Sequence, residues 1–187
     1  KGIIMVEGDA ENILLPVIAD ILGYPLEKHG VSVVNVGSTA FFRYSRIMLR
    51  QDGSTVGIPV AVITDCDIQP YDVVEQGDGS KRKVFSEKNE KSEQAVADKK
   101  AKYEMNEIHA FISPRWTLEY CIALSCLNAE FHKAIHYGKK ISNSTAISLT
   151  GEKIADADSA VTEEDQEWVD LSTPEKAYRM YSTMIEN

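Results

Sequence analysis

The segment Pro59-Val60-Ala61-Val62-Ile63-Thr64-Asp65-Cys66-Asp67 runs from an apolar, β-branched stretch straight into two acids two residues apart. A near-continuous run of this kind reads as a strand of a parallel sheet, buried on both faces. A second such run, Ile3-Ile4-Met5-Val6, ends in Glu7-Gly8-Asp9-Ala10-Glu11. In open α/β sheets, chemistry gathers outside the carboxyl ends of the strands. Both acidic clusters are therefore expected to face one crevice. Crowded carboxylates repel one another unless a cation neutralises them. Hard oxygen ligands suit Mg²⁺ or Mn²⁺, and such sites commonly carry out phosphoryl-group chemistry.

Between these two runs the pattern is regular. Ile13, Leu14, Val17, Ile18, Ile21 and Leu22 recur at helical spacing, which predicts a helix over about Ala10 to Leu22 with Asp9 as its cap, Pro16 inside it and Gly23 closing it. Val31 to Val36 is a second strand, and Gly37-Ser38 opens a helix through about Gln51, followed by a turn at Asp52-Gly53-Ser54. Ile58 to Thr64 is the third strand. The order β-α-β-α-β predicts a parallel sheet with helical crossovers. Beyond Asp67, residues 68–85 are polar and Gly-containing and read as a loop insertion. Residues 86–104 read as a charged, solvated helix, Ile108 to Ile112 as a fourth strand, and Thr117 and Asn128 as the starts of two further helices. Gly138 to Asp165 shows little periodicity and reads as an exposed insertion. A last helix starts near Thr173-Pro174, with Ala177, Tyr178, Tyr181 and Ile185 on one face. The expected division is a catalytic domain over 1–137 and an insertion plus C-terminal helix over 138–187.

At 187 residues, with 43% hydrophobic and 26% charged residues, the composition is that of a globular domain. No apolar run approaches the ~18 residues of a membrane span. The first residue, Lys1, is followed at once by a strand, so the sequence reads as a piece of a longer chain. The three cysteines, Cys66, Cys121 and Cys126, form no Cys-x-x-Cys pair, which disfavours a disulfide framework and suits a cytoplasmic protein. Cys66 lies between two acids that raise its thiol pKa, so it does not read as a nucleophile. The net charge of −9 argues against a broad basic face, although acids gathered at a metal site weigh in that number.

Each acid also has a plainer reading. Asp9 reads first as a helix cap, and Glu11 fits a first-turn acid favoured by the helix dipole. Glu7 is harder to explain so, because a charge closing an apolar strand risks burial without a partner. Asp65 and Asp67, two apart in extended chain, point to the same side of the sheet end. Lys81-Arg82-Lys83 suits phosphate tracking beside a metal site or ordinary surface charge. Arg115 follows the fourth strand, where phosphate would bind. Arg43, Arg46 and Arg50 recur at helical spacing. His132 and His136 are four apart, a zinc-like spacing, but no adjacent Glu completes a His-Glu-x-x-His motif, so surface or packing roles are expected. Trp116 and Trp168 read as packing anchors.

Val6-Glu7-Gly8 with Thr64-Asp65-Cys66-Asp67 downstream resembles a Toprim domain, whose pattern is a Glu after the first strand and Asp-x-Asp after the third. Glu11, Leu14-Leu15-Pro16, Val33 to Ser38 and Trp116-Thr117-Leu118-Glu119-Tyr120 resemble the OLD (overcoming lysogenization defect) branch. The resemblance spans most of residues 1–137 and the final helix. It implies a Toprim-like Rossmannoid fold, a central four-stranded parallel sheet flanked by helices, with a helical C-terminal extension. It implies a Mg²⁺- or Mn²⁺-dependent DNA endonuclease with two metals. Glu7, Asp65 and Asp67 would be catalytic, Glu7, Glu11, Asp65 and Asp67 metal ligands, and Glu119 and Ser113 would complete the second site. Lys81, Arg82, Lys83 and Arg115 are the candidate DNA contacts. An ATPase domain would precede Lys1, since no P-loop motif occurs here. ATP would act only there, and a homo-oligomer would form through that domain. Anti-phage defence, with an accessory defence protein, is the implied setting. The family's late-helix lysine is not assigned; Lys176 lies in that region, and the equivalent falls beyond Asn187 on this reading.

Three rival readings stay open: a primase- or topoisomerase-type Toprim, a phosphatase using Asp65 of Asp-x-Asp as nucleophile, and a non-catalytic assembly module.

Overall fold

The computed structural model describes residues 1–38, 40–48, 56–142 and 148–185. Two compact units divide the chain: Lys1–Ile68 with Asn89–Leu118, and Gln69–Lys88 with Glu119–Asn187. That division differs from the expected boundary at residue 137.

The first unit is a Rossmannoid α/β sheet. Its elements are β1 (Gly2–Val6), α1 (Asp9–Ile21), α2 (Leu26–His29), β2 (Val31–Asn35), α3 (Phe41–Ser45), β3 (Val60–Thr64), α4 (Asn89–Tyr103) and β6 (Ile108–Ile112). The sheet order is β2-β1-β3-β6 with every pair parallel, the expected four-stranded arrangement. Register sets Val6 beside Ile63 and Thr64 beside Ile112, so β1, β3 and β6 end together. The β-branched run of β3 places Val60, Val62 and Thr64 on a fully buried face. Met5, Ile108, Ala110, Phe41 and Tyr103 join Val60 and Val62 in the core. Phe41 meets Tyr103 edge-on at 5.8 Å, which anchors the otherwise polar α4. Of the helix expected over 37–51, α3 and a 3-10 turn at Arg46–Met48 are described. Residues 49–51 and the expected turn at 52–54 lie outside the described residues, as does Arg50.

The second unit contains β4 (Tyr71–Glu75), β5 (Lys81–Phe85), α6 (Asn128–Ser142), α7 (Gly151–Glu167) and α8 (Thr173–Ile185), while α5 (Leu118–Leu124) begins at the boundary. Two expectations are corrected here. Residues 68–85 are not a loop: β4 and β5 form an antiparallel hairpin pairing Tyr71 with Phe85 and Glu75 with Lys81. Tyr71 and Phe85 each pack on Tyr178, with ring centroids 5.9 and 5.7 Å apart. Gly138 to Asp165 is not an irregular insertion either. α6 continues to Ser142, and α7 follows with a Thr150 cap whose Oγ1 accepts from Lys153 N at 3.3 Å. Its buried stripe is Ala157, Val161 and the following Trp168, spaced by helical intervals. Tyr137 donates to Asp158 at 2.9 Å, and Lys140 pairs with Asp156 at 3.3 Å. Partners ascending on α6 meet partners descending on α7, so the two helices run antiparallel. The Asp158 carboxylate, accepting from the Tyr137 hydroxyl, raises the phenol pKa above its ordinary value, with desolvation and the carboxylate's negative charge adding to the effect.

Candidate functional site

Glu7 follows β1, Asp65-Cys66-Asp67 follows β3, and Ser113 follows β6. These are adjacent parallel strands, so the residues share the carboxyl edge of the sheet. Hydrogen bonds connect them in sequence across that edge. Thr64 Oγ1 donates to Glu7 Oε2 at 2.7 Å, and Ser113 N donates to Thr64 O at 2.9 Å. Asp65 Oδ1 accepts from Ser113 Oγ at 3.2 Å and from Leu118 N at 2.9 Å. Asp67 adopts a left-handed backbone, φ 67°, and its amide donates to Trp116 O at 2.9 Å. Asp tolerates that region better than most residues. Cys66 turns inward, buried, with its thiol 3.6 Å from Ser92 O, in keeping with a packing role.

Lys99, on α4, reaches this edge. Its ammonium donates to Asp65 O at 2.7 Å and forms an ion pair with Asp67 Oδ2. Nothing in the sequence marks it beyond one more charge on a charged helix.

Glu11 is 6% exposed, and its Oε2 accepts from Gly8 N at 3.2 Å. That bond is the reaching-back half of a capping box. The cap residue is Gly8, in extended backbone, and not Asp9. Asp9 instead accepts from Asn35 Nδ2 at 2.7 Å, which ties the start of α1 to the end of β2. Among the described residues, three potential ligand atoms come within 4.8 Å of one another at His132, His136 and Glu164, and not among the sheet-edge acids.

Arg115 is half-buried and donates to Pro114 O at 2.8 Å. Glu119 lies in the first turn of α5 and is counted with the second unit, as is Lys176 on α8. Lys81, Arg82 and Lys83 occupy β5, exposed, with Lys83 Nζ 5.0 Å above the Tyr71 ring. With Arg179 they line a groove of about 790 Å³ in the second unit, whose wall also holds Glu164 and Trp168.

The histidines of α6 are not surface residues: His132 is 1% and His136 7% exposed. Glu164 Oε2, from α7, lies 2.8 Å from His132 Nε2 and 3.2 Å from His136 Nε2. His132 Nδ1 lies 3.2 Å from Asp165 Oδ1, and Trp168 stacks on its ring at 5.0 Å. Burial raises the Glu164 carboxyl pKa, but the bonds and charge of His132 and His136 outweigh it and leave the group below its ordinary value. The four-residue spacing was the one sequence signal for this cluster, which is able to hold a metal ion.

Among the described residues, no helix is long and apolar enough to cross a membrane. Comparison with curated protein sequences gives no significant match. The C-terminal region of the Xanthomonas campestris pv. campestris OLD protein has a similar fold: TM-score 0.51 and 22% identity, over 98% of this chain and 77% of that one. The C-terminal region of the Burkholderia pseudomallei OLD protein aligns with TM-score 0.48 and 21% identity, over 98% and 85% of the two chains. Residues 1–67 match the family described as "Overcoming lysogenization defect protein-like, TOPRIM domain". Residues 1–67 are thus similar to the OLD-like TOPRIM family, and the chain has a fold similar to that of the C-terminal region of an OLD protein.

Proposed function

We propose that the sheet-edge acids form the centre of a Mg²⁺- or Mn²⁺-dependent DNA endonuclease that hydrolyses phosphodiester bonds with water as the nucleophile. The observation that carries this reading is the linked edge itself: Glu7, Asp65 and Ser113 follow three adjacent parallel strands and are joined through Thr64. The donor set is oxygen only, which fits hard cations. The Lys99 ammonium at Asp65 and Asp67 is a stand-in positive charge, which supports the reading of this turn as a cation site.

Glu7, Asp65 and Asp67, with Glu11 and Ser113, would hold the ions. Bound divalent ions supply water activation and charge stabilisation at the leaving oxygen. The protein's own part is orientation. Thr64 fixes the Glu7 carboxylate, while Ser113 and the Leu118 amide fix Asp65. Asp65 already accepts two hydrogen bonds on Oδ1, which lowers its nucleophilicity and favours hydrolysis over a phosphorylated aspartate. Lys81, Arg82, Lys83 and Arg179, along one groove, supply a path for the phosphate backbone of DNA. ATP control through an ATPase domain, oligomerisation through it and an anti-phage role rest on the family likeness alone.

A plasmid-nicking assay on the longest natural form of the protein tests the reading, with Mg²⁺, Mn²⁺ or EDTA and with Glu7→Ala and Asp65→Ala. Cleavage should require metal. Each variant should lose more than about 100-fold, since even residues that only orient metal ligands cost 10–100-fold. Cleavage that persists in EDTA or in both variants would sink the proposal. A stable phosphoryl adduct on Asp65 would point to a phosphatase. Folded, metal-loaded protein inert on supercoiled, linear and single-stranded DNA would point to an assembly role.

A further inference from the structure

We propose that His132, His136 and Glu164 bind one transition-metal ion of the zinc class, fastening α6 to α7 in the second unit. This site is separate from the sheet-edge acids and does not depend on their role.

The first argument is geometric. Residues four apart lie on one helix face, so His132 and His136 present both imidazoles together, and Glu164 meets both Nε2 atoms with one oxygen. Zinc bonds of about 2.0–2.1 Å in tetrahedral geometry space their ligands about 3.3 Å apart. The observed separations of 2.8 and 3.2 Å need to open by only a few tenths of an ångström.

The second argument is an accounting of protons. Both ring nitrogens of His132 face carboxylate oxygens, Nδ1 toward Asp165 and Nε2 toward Glu164. A neutral imidazole has one N–H, so in the neutral ring, itself 1% exposed, one lone pair faces a carboxylate oxygen. A cation between Nε2 and Glu164 resolves the conflict. Nδ1 then keeps its proton for Asp165, the arrangement by which an outer carboxylate fixes a ligating histidine's tautomer. Trp168, stacked at 18° to the ring, holds its plane. A dication also balances the charges of Glu164 and Asp165.

Donor type names the metal. Two imidazoles and one carboxylate suit zinc and its neighbours and not Mg²⁺, which prefers oxygen. Glu164 lines the open groove beside β5, which gives an entry path and room for a water as fourth ligand.

The test uses the full chain, stripped with a chelator and titrated with Zn²⁺ in excess Mg²⁺, followed by calorimetry and thermal melting. One Zn²⁺ per chain should bind at micromolar or tighter affinity and raise Tm. His136→Ala and Glu164→Gln should each weaken binding by at least tenfold, while Asp65→Ala leaves it unchanged. In the unmodified protein, Co²⁺ should give the intense visible bands of a tetrahedral site, a readout that needs no variant to fold. Absence of those bands, equal Zn²⁺ affinity in the variants, or loss of binding in Asp65→Ala alone would overturn the proposal.

Discussion

Lys99 sets an ammonium directly against the Asp65-Cys66-Asp67 turn, and its effect has a definite sign. An ammonium that neutralises Asp67 competes with any divalent ion for the same oxygens. The pair is partly solvated, with Asp67 55% exposed, so it contributes about 1 kcal/mol at most. Lys99→Met should therefore lower the metal-free Tm slightly and strengthen Mg²⁺ binding a few-fold, read by calorimetry and by a larger Mg²⁺-induced rise in Tm. Weaker Mg²⁺ binding in the variant would mean that Lys99 positions Asp67 and does not compete. Asp67→Asn is the cleaner companion variant than alanine, because Asn tolerates the left-handed backbone. At this scale the sequence was legible where an acid terminates an apolar run, as at Glu7 and Asp65. It was not legible where the partner arrives from a distant helix. Lys99 comes from a helix with almost no apolar side, and Glu164 lies on a segment whose small alanines hid its periodicity from view.

The β4–β5 hairpin was missed because a two-stranded ribbon has no need of an apolar stripe. Only Tyr71 and Phe85 pack inward, on Tyr178, while Glu75 stands opposite Lys81, a pairing of unlike charges that favours this register. The turn is held by Asp78, whose Oδ1 accepts from Ser80 Oγ at 2.7 Å and Ser80 N at 2.9 Å. Those bonds, the hydroxyl first, hold the Asp78 carboxyl below its ordinary value of 3.8. A carboxyl lowered on folding stabilises the hairpin above the unfolded pKa, and that contribution is lost as pH falls through the depressed folded value. Amide exchange at Val74 and Val84 should thus accelerate, after correction for intrinsic rates, as pH falls below about 4. In Asp78→Ala the hairpin should already open more readily at neutral pH and show no such acid limb. An identical acid limb in the variant would assign the effect to another carboxylate. The parallel sheet was readable for the opposite reason: strands buried on both faces leave continuous β-branched runs that few other structures produce.

Across the whole molecule, periodicity gave the sidedness of α1 but not what that side faces. Its apolar stripe does not enter a core: Ile13 is 66% exposed, Val17 53%, Ile21 79% and Leu22 67%. The sheet needs little from it, because the buried core gathers on the face that Phe41 and Tyr103 cover. Single exposed apolar residues are ordinary, but a contiguous stripe favours association. Net charge of −9 opposes self-association at long range, yet it is screened within about 8–10 Å at physiological salt. Short-range apolar contact should then prevail at high concentration. The double variant Ile13→Lys, Ile21→Lys should reduce self-association in light scattering at high protein concentration. Its Tm should stay within about 2 °C of the parent, because surface substitutions usually change stability by less than about 0.5 kcal/mol. A fall of about 5 °C or more would instead show that α1 buries this stripe in solution, and that its helical spacing marked a core face after all.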